Sequence, residues 1–528
     1  MVTLALCGGV AFSQSHLDAY KYAQSELNGT ARYLGMGGAF GALGGDISAM
    51  KNNPAGLAIY RSSEVVTTLS LNNTNTETNW ENVIEKNSRT HFNFDNIAYV
   101  GYFPTGKSEG VIGWNAGFAY NRLKNFKRNY SMSAGGAMRT SLSDYIAERA
   151  YGNPVSKLEE TSANRPYDYL DWLPVLGYNA GFIDPYSHND EEYYSVFTQK
   201  EGDDWVPYTI NNSVLQVSES GAIDQYDISF GMNINDRVFL GATMAITDIS
   251  YNYESTYDEY FDHENNYMYL DNGLSTDGTG YSFNIGLIYR PFDFFRLGVA
   301  YNSPTWYKMT DYFYASAESY LTFMHEGEHY EQNISAHTPN GGYWDYEFTS
   351  PDKWLLSASF FFGQSGLLSF DYERVNYHNM KMYDYSGKAN KDTNNDIKAD
   401  IRGSNTYRVG AEYKVTPQFS IRAGGGYSTT PMKSQILNGD VNVYTVGTIP
   451  NYTLERRSSY YTVGLGYRFT PQFYADFACV FTNYKEDVYA FSNTYIWEND
   501  TKIQLIEAQP ATMKTNNTRF ALTLGYKF

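Results

Sequence analysis

The chain has 528 residues, with 51 Tyr, 31 Phe and 45 Gly against 16 Pro and 2 Cys, a formal charge of −19 and a mean hydropathy of −0.48. That charge excludes nucleic acid as a partner, because phosphate binding needs a basic surface, and no apolar run after the leader is long enough for a helical membrane span. Strands whose residues face lipid and lumen alternately would average to a polar sequence while aromatic girdles inflate Tyr and Phe, which points to a transmembrane β-barrel.

Residues 1–13, MVTLALCGGVAFS, read as a short signal peptide ending in a small-x-small site before Gln14, without the usual charged start. Cys7 falls in this leader and Cys479 in a predicted strand, so no disulfide is expected. Residues 14–63 differ from everything after them. Their centre, Leu27 to Ile59, is LNGTARYLGMGGAFGALGGDISAMKNNPAGLAI, rich in Gly and Ala and closed by the turn signal Asn52-Asn53-Pro54-Ala55-Gly56. Leu34, Met36, Phe40, Leu43 and Ile47 are apolar residues that a solvated linker would not need. A dinucleotide fingerprint starting at Gly35 fails, because Phe40 stands at its third glycine. The segment is expected to pack inside a β structure as a plug.

Three blocks, Gly29-Thr30-Ala31-Arg32-Tyr33-Leu34-Gly35-Met36-Gly37-Gly38-Ala39-Phe40, Asp46-Ile47-Ser48-Ala49 and Asn53-Pro54-Ala55-Gly56-Leu57-Ala58, occur in order just before the first strand. Together they resemble the N-terminal hatch of the FadL/TodX family of outer-membrane transporters of hydrophobic compounds. The resemblance implies a 14-stranded antiparallel barrel, all-β, with the hatch filling its lumen.

From residue 64 the apolar residues recur with period two, the pattern of a strand between lipid and lumen. The last strand shows it best: Phe520, Leu522, Leu524, Tyr526 and Phe528 face one way, Ala521, Thr523, Gly525 and Lys527 the other. Strands are predicted at 64–72, 92–103, 111–124, 222–234, 238–254, 279–290, 295–313, 343–362, 367–382, 404–414, 419–429, 457–469, 473–489 and 515–528. The links after even-numbered strands are short and those after odd-numbered strands long, which puts the hatch and both chain ends on the periplasmic side.

The link at 125–221 is too long to be a simple connection. Ser143 or Asp144 is expected to cap a short helix there. Leu170, Trp172, Leu173, Val175 and Leu176, with Tyr169 and Phe182, form an apolar cluster that reads either as an external capture site for an apolar substrate or as a small core under the loop. His325-Glu326-Gly327-Glu328-His329 spells H-E-x-x-H, but Gly327 weakens the helix that this zinc motif requires. Asp392-Thr393-Asn394-Asn395-Asp396 begins like an EF-hand loop and then departs from it, with Ile397 at the glycine position; a solvated acidic loop is expected. No catalytic residues, metal or cofactor are expected. Lumen-facing polar residues such as Arg296, Asp371, Glu412 and Arg422 need no catalytic role, and some are expected to hold the hatch.

By resemblance, Asn53, Pro54 and Ala55, with Gly35, Met36, Gly37 and Gly38, are the hatch motif, and Asn53 is expected to hold the hatch closed. Gly113, Asn115 and Gly117 in the third strand mark an expected kink for lateral exit. The expected function is passive uptake of hydrophobic small molecules such as long-chain fatty acids: external capture, hatch rearrangement, lateral exit. Expected partners are that ligand, outer-membrane lipid and lipopolysaccharide, and the barrel assembly machinery; a monomer is expected. The rivals are a secretion-associated barrel that binds protein cargo and a haem-binding surface receptor using His325 and His329.

Overall fold

The computed structural model describes residues 15–136, 138–201, 204–263, 265–325, 328–339, 342–498 and 501–528; the leader, residues 1–13, lies outside them. Fourteen antiparallel strands close into a barrel. Strands 1 to 6 are Glu64–Trp80, Val83–Pro104, Val111–Asn125, Ile210–Ile234, Val238–Phe261 and Tyr267–Phe292. Strand 7 is Phe295–Asn302 continued by Trp306–His325, strand 8 is Gly342–Thr349 continued by Lys353–Phe362, and strand 9 is Gly366–Val375 continued by Lys381–Asp384. Strands 10 to 14 are Ser404–Lys414, Phe419–Thr429, Tyr452–Arg468, Phe473–Tyr489 and Ala511–Lys527. Strand 14 pairs with strand 1 from Glu64↔Lys527 to Asn79↔Thr512, so the barrel has no free edge.

Alternation sorts the side chains as their period requires. Phe520, Leu522, Leu524 and Tyr526 are exposed on the lipid side, while Ala521 and Thr523 are buried in the lumen. The links at one rim are short, as at Asn235 and Asp236, whose positive φ angles of 55° and 57° are ones Asn and Asp tolerate.

Two expectations about the wall need correction. The residues predicted as loops at 73–91 and 255–278 are mostly strand: strands 1 and 2 run out to a turn at Glu81 and Asn82, and strands 5 and 6 extend beyond the apolar band. Strands 7, 8 and 9, read as continuous, are each interrupted, at 303–305, 350–352 and 376–380. Pro304 and Pro351 account for two of these breaks, since proline has no N–H for a ladder. Strand 3 is unbroken, with bulges near Gly113 and at Arg122/Lys124 and Gly117 paired in register with Ser229.

The long link carries its own small fold. Helix Leu142–Ala150 is capped by Ser141, one turn before Asp144 and earlier than expected, in a reciprocal box in which the Asp144 carboxylate accepts from the Ser141 N–H at 2.9 Å. Helix Trp172–Asn179 packs beside it, followed by the hairpin Ile183–Tyr186/Asn189–Ser195. Residues 391–400, expected as an acidic loop, form helix Lys391–Asp400, whose N-cap Asn390 accepts from the Thr393 N–H.

Candidate functional site: hatch and lumen cavity

The plug begins with helix His16–Ala23, capped by Ser15 and Asp18 in another capping box, high in the lumen. A tether at 24–28 then leads to the hatch, whose pieces are helices Ala31–Gly35 and Ala49–Asn52 and the tight turn Pro54–Ile59. The plug helix was not foreseen, although Ser15-x-x-Asp18 spells its cap.

The hatch sits on the wall because the wall is glycine where the two backbones meet. A Cβ on Gly424 would lie 2.4 Å from the Gly37 nitrogen, and one on Gly410 would lie 2.1 Å from the Met36 carbonyl oxygen. Gly37 and Gly38 themselves hold φ angles of 61° and 74°, which an L side chain resists. Gly35 abuts Gly464 in the same way.

Polar contacts complete the docking. The Asp371 carboxylate accepts from the N–H groups of Phe40 and Gly41, each at 3.0 Å. Arg32 donates two hydrogen bonds to Glu412, at 3.0 and 3.1 Å; Glu412 also accepts from Arg422 at 2.6 Å, and Arg422 reaches Asp476 at 2.6 Å. Glu412, Arg422 and Asp476 are buried and Arg32 partly so, and removing one of the buried three leaves an uncompensated charge, a loss of about 3–5 kcal/mol. Arg296 donates to the Leu43 carbonyl at 2.7 Å. Asn53 is 1% exposed: its amide donates to the Gly41 carbonyl at 2.6 Å and the strand 6 carbonyl of Leu287 at 3.4 Å, while its oxygen accepts from the Ala55 N–H at 3.2 Å. Pro54 and Ala55 start the turn that packs on strands 4, 5 and 6.

Above the hatch lies a cavity of about 390 Å³, enclosed by the plug helix, the tether and the wall. Its apolar lining includes Leu17, Leu123, Ile223, Leu274 and Val446, and of the five lysines that line it, Lys21, Lys51, Lys124, Lys127 and Lys353, three hold the plug: Lys51, Lys124 and Lys353. Among the described residues none of the three has a carboxylate at ion-pair distance. All three donate instead to the plug: Lys51 to the Asn28 carbonyl, Lys124 to the Lys21 carbonyl and the Gln24 side chain, and Lys353 to the Ser25 hydroxyl at 3.2 Å. Neighbouring cations are paired, Arg408 with Glu373 and Arg519 with Glu26. No motif marks these lysines, which come from the hatch, strand 3 and strand 8.

The remaining expected sites fall elsewhere. Gly117 faces the hatch, where a Cβ would meet the Met50 methyl. Asn115 is fully buried, and Gly113 lies against Tyr102. The ladder between strands 2 and 3 does stop, at Asn96↔Asn121, while strand 2 runs on to Val83. Leu173, Val175 and Leu176 are buried with Trp172 in the core of the external fold, and Leu170 packs against it, so the cluster is not an open landing surface. His325 ends one strand and His329 lies in the next, Glu328–His337, so the helix needed for a zinc motif is absent; Glu326 and Gly327 lie outside the described residues.

The fold matches solved outer-membrane barrels. A Pseudomonas aeruginosa FadL homologue aligns over 96% of this chain and 99% of its own, with 12% identity and a TM-score of 0.51. The Pseudomonas putida toluene transporter TodX covers 96% and 100% at 13% identity and 0.48, and the Ralstonia pickettii toluene transporter TbuX 95% and 99% at 14% and 0.46. At such identities the likeness is one of fold alone. No curated protein matches the chain. The sequence model of the outer-membrane transport proteins OMPP1/FadL/TodX, however, matches residues 228–528, more than half of the chain, and this protein belongs to that family.

Proposed function

We propose that this protein carries single-chain hydrophobic compounds with an anionic head, of the long-chain fatty acid type, across the outer membrane. The observation that carries the reading is the set of three lysines in the cavity, held only by neutral groups of the plug. A carboxylate entering there would give the ammonium groups an ionised partner in place of neutral acceptors, turning hydrogen bonds from a charged donor into ion pairs. Its chain would find apolar lining, at about 25 cal/mol per Å² removed from water. Because the lysines grip the tether, binding the anion competes with holding the plug, and this ties occupancy to hatch movement. Exit sideways into the membrane is supported by the ladder that ends at Asn96↔Asn121, where side chains, such as the Asn125 amide donating to Asn93 at 2.7 Å, bridge strands 2 and 3.

The test is binding of oleate and of octadecane to purified protein with and without Lys51→Gln/Lys124→Gln/Lys353→Gln. Oleate affinity should fall at least tenfold while octadecane is held as before. Equal losses for both, or none for oleate, would remove the anionic head from the reading. Haem titration and pull-down of secreted proteins address the two rival readings.

A further inference from the structure

The cavity meets the wall at one place where the wall is built differently. Strands 7, 8 and 9 lose their ladders side by side: strands 7 and 8 pair up to Asn302↔Lys353 and again from Trp306↔Thr349, and strands 8 and 9 pair at Lys353↔Val375 and again at Thr349↔Lys381. Proline in an interior strand is found essentially at bulges or edges, and here Pro304 and Pro351 face each other across the break.

Two backbone bonds between strands 7, 8 and 9 remain in the break, the Ser350 N–H to the Thr305 carbonyl at 3.0 Å and the Asn376 N–H to the Asp352 carbonyl at 3.2 Å, and side chains stand in for other rungs. The Thr305 N–H donates to the Ser350 hydroxyl at 2.8 Å, the Phe283 N–H to the Ser303 hydroxyl at 2.9 Å, and the amides of Asn376 and Asn379 to the two carboxylate oxygens of Asp352, each at 3.1 Å. Such side-chain bonds are released by single rotamer changes, so fewer backbone bonds oppose a parting of the strands here than in the continuous ladders on either side.

Ser303, Thr305, Ser350, Pro351 and Tyr377 line the cavity on the inner side of this seam. The plug backs them: the Tyr20 ring of the plug helix lies 5.1 Å from that of Tyr377, and Lys353 donates to Ser25 of the tether. On the outer side, exposed Trp306 and Trp354 flank the break. Its height follows from strand 6, whose exposed positions run Tyr289, Ile285, Phe283, Tyr281 and then turn polar at Thr279 and Asp277. The seam pairs with residues 281–284, at the external end of the apolar band, where aromatic girdles sit.

We propose that the seam of strands 7–9 is a lateral portal through which the cavity exchanges a single-chain amphiphile with the external side of the bilayer, a proposal that rests on the reading of the cavity given above. The chain passes between Trp306 and Trp354, and the head follows the hydroxyls and amides inward to Lys353. Movement of the tether, which Lys353 also holds, clears the inner side.

A diazirine-bearing palmitate, photolysed with the whole protein in outer-membrane vesicles, tests this. Adducts are expected at 301–307 and 349–354. In Thr305→Cys/Ser350→Cys they should fall at least fivefold on oxidation and recover with reductant. A Val299→Cys/Leu356→Cys lock, at registered partners in the intact ladder below, should change nothing. Adducts confined to lumen residues away from the seam and indifferent to the lock would overturn the portal and leave the cavity reading standing. Absence of adducts throughout the lumen would overturn both.

Discussion

Replacing Asn53 with alanine removes three contacts at once. The turn Pro54–Ile59 loses its cap, because the N–H of Ala55 loses its acceptor; the buried Gly41 carbonyl loses its donor; and the Leu287 carbonyl loses a long third bond. Cap loss costs about 0.5–2 kcal/mol, and leaving a buried carbonyl unpaired costs about 1–3 kcal/mol. The Leu287 carbonyl contributes little, since its bond to Asn53 is long. Docking of the hatch should therefore weaken by about 1.5–5 kcal/mol, a rise of roughly ten- to several-thousandfold in the undocked population. Hydrogen exchange of hatch amides such as Gly45, Gly56 and Tyr60, bonded in the docked turn, reads this population directly. Heat-modifiable migration on gels reports whether the barrel itself has closed, and it should be unchanged. Wild-type protection of these amides in a closed barrel would refute the assignment of Asn53 as a fastening of the hatch.

Other consequences are as direct. Gly424→Ala should expel the hatch from strand 11, because its methyl would overlap backbone atoms of Met36 and Gly37 that cannot turn aside; exchange protection should drop around residues 35–41 while the barrel persists. Leu176→Ala should cost the external fold about 2–5 kcal/mol, measured as faster proteolysis between residues 135 and 209 with no change in barrel migration. Asp396, in the external helix Lys391–Asp400, has its carboxyl pushed up to about 6 by burial and by the nearby Asp400 and Asp392. A carboxyl whose folded value is raised binds its proton more tightly when folded, so its stabilising effect is complete below the ordinary value and is lost as pH rises through about 6. Amides of that helix should be better protected at pH 5 than at pH 7.5, and Asp396→Asn should flatten the difference.

The lipid band was legible because its physics has a period: strand 14, with Phe520, Leu522 and Leu524 against Ala521 and Thr523, needs only the rule that neighbours face opposite sides. The same rule falls silent outside the bilayer. In strand 1 the residues from Asn72 to Thr78 are polar on both faces, so a strand there resembles a loop. The breaks in strands 7 to 9 were read through because apolar alternation lies on both sides of them, although the outward face shifts from odd to even positions there, from Leu297 to Trp306 and from Tyr343 to Trp354. The glycines of the hatch announced a close approach without naming the partner, which is the wall at Gly410, Gly424 and Gly464. The lysines of the cavity were invisible for a different reason: positions 51, 124 and 353 are joined only by closure of the barrel, and a lone lysine on a strand says nothing about what it lacks.

The central claim is that a plugged cavity, and not an aqueous pore, holds the cargo. A structure of the protein with a fatty acid brominated at its chain end tests it most directly, because the bromine signal locates the chain and the density locates the head. The account predicts an elongated ligand above a docked hatch, its carboxylate within hydrogen-bond reach of at least one of Lys51, Lys124 and Lys353. Bromine found only on the outer wall, around a lumen open from end to end, would contradict it.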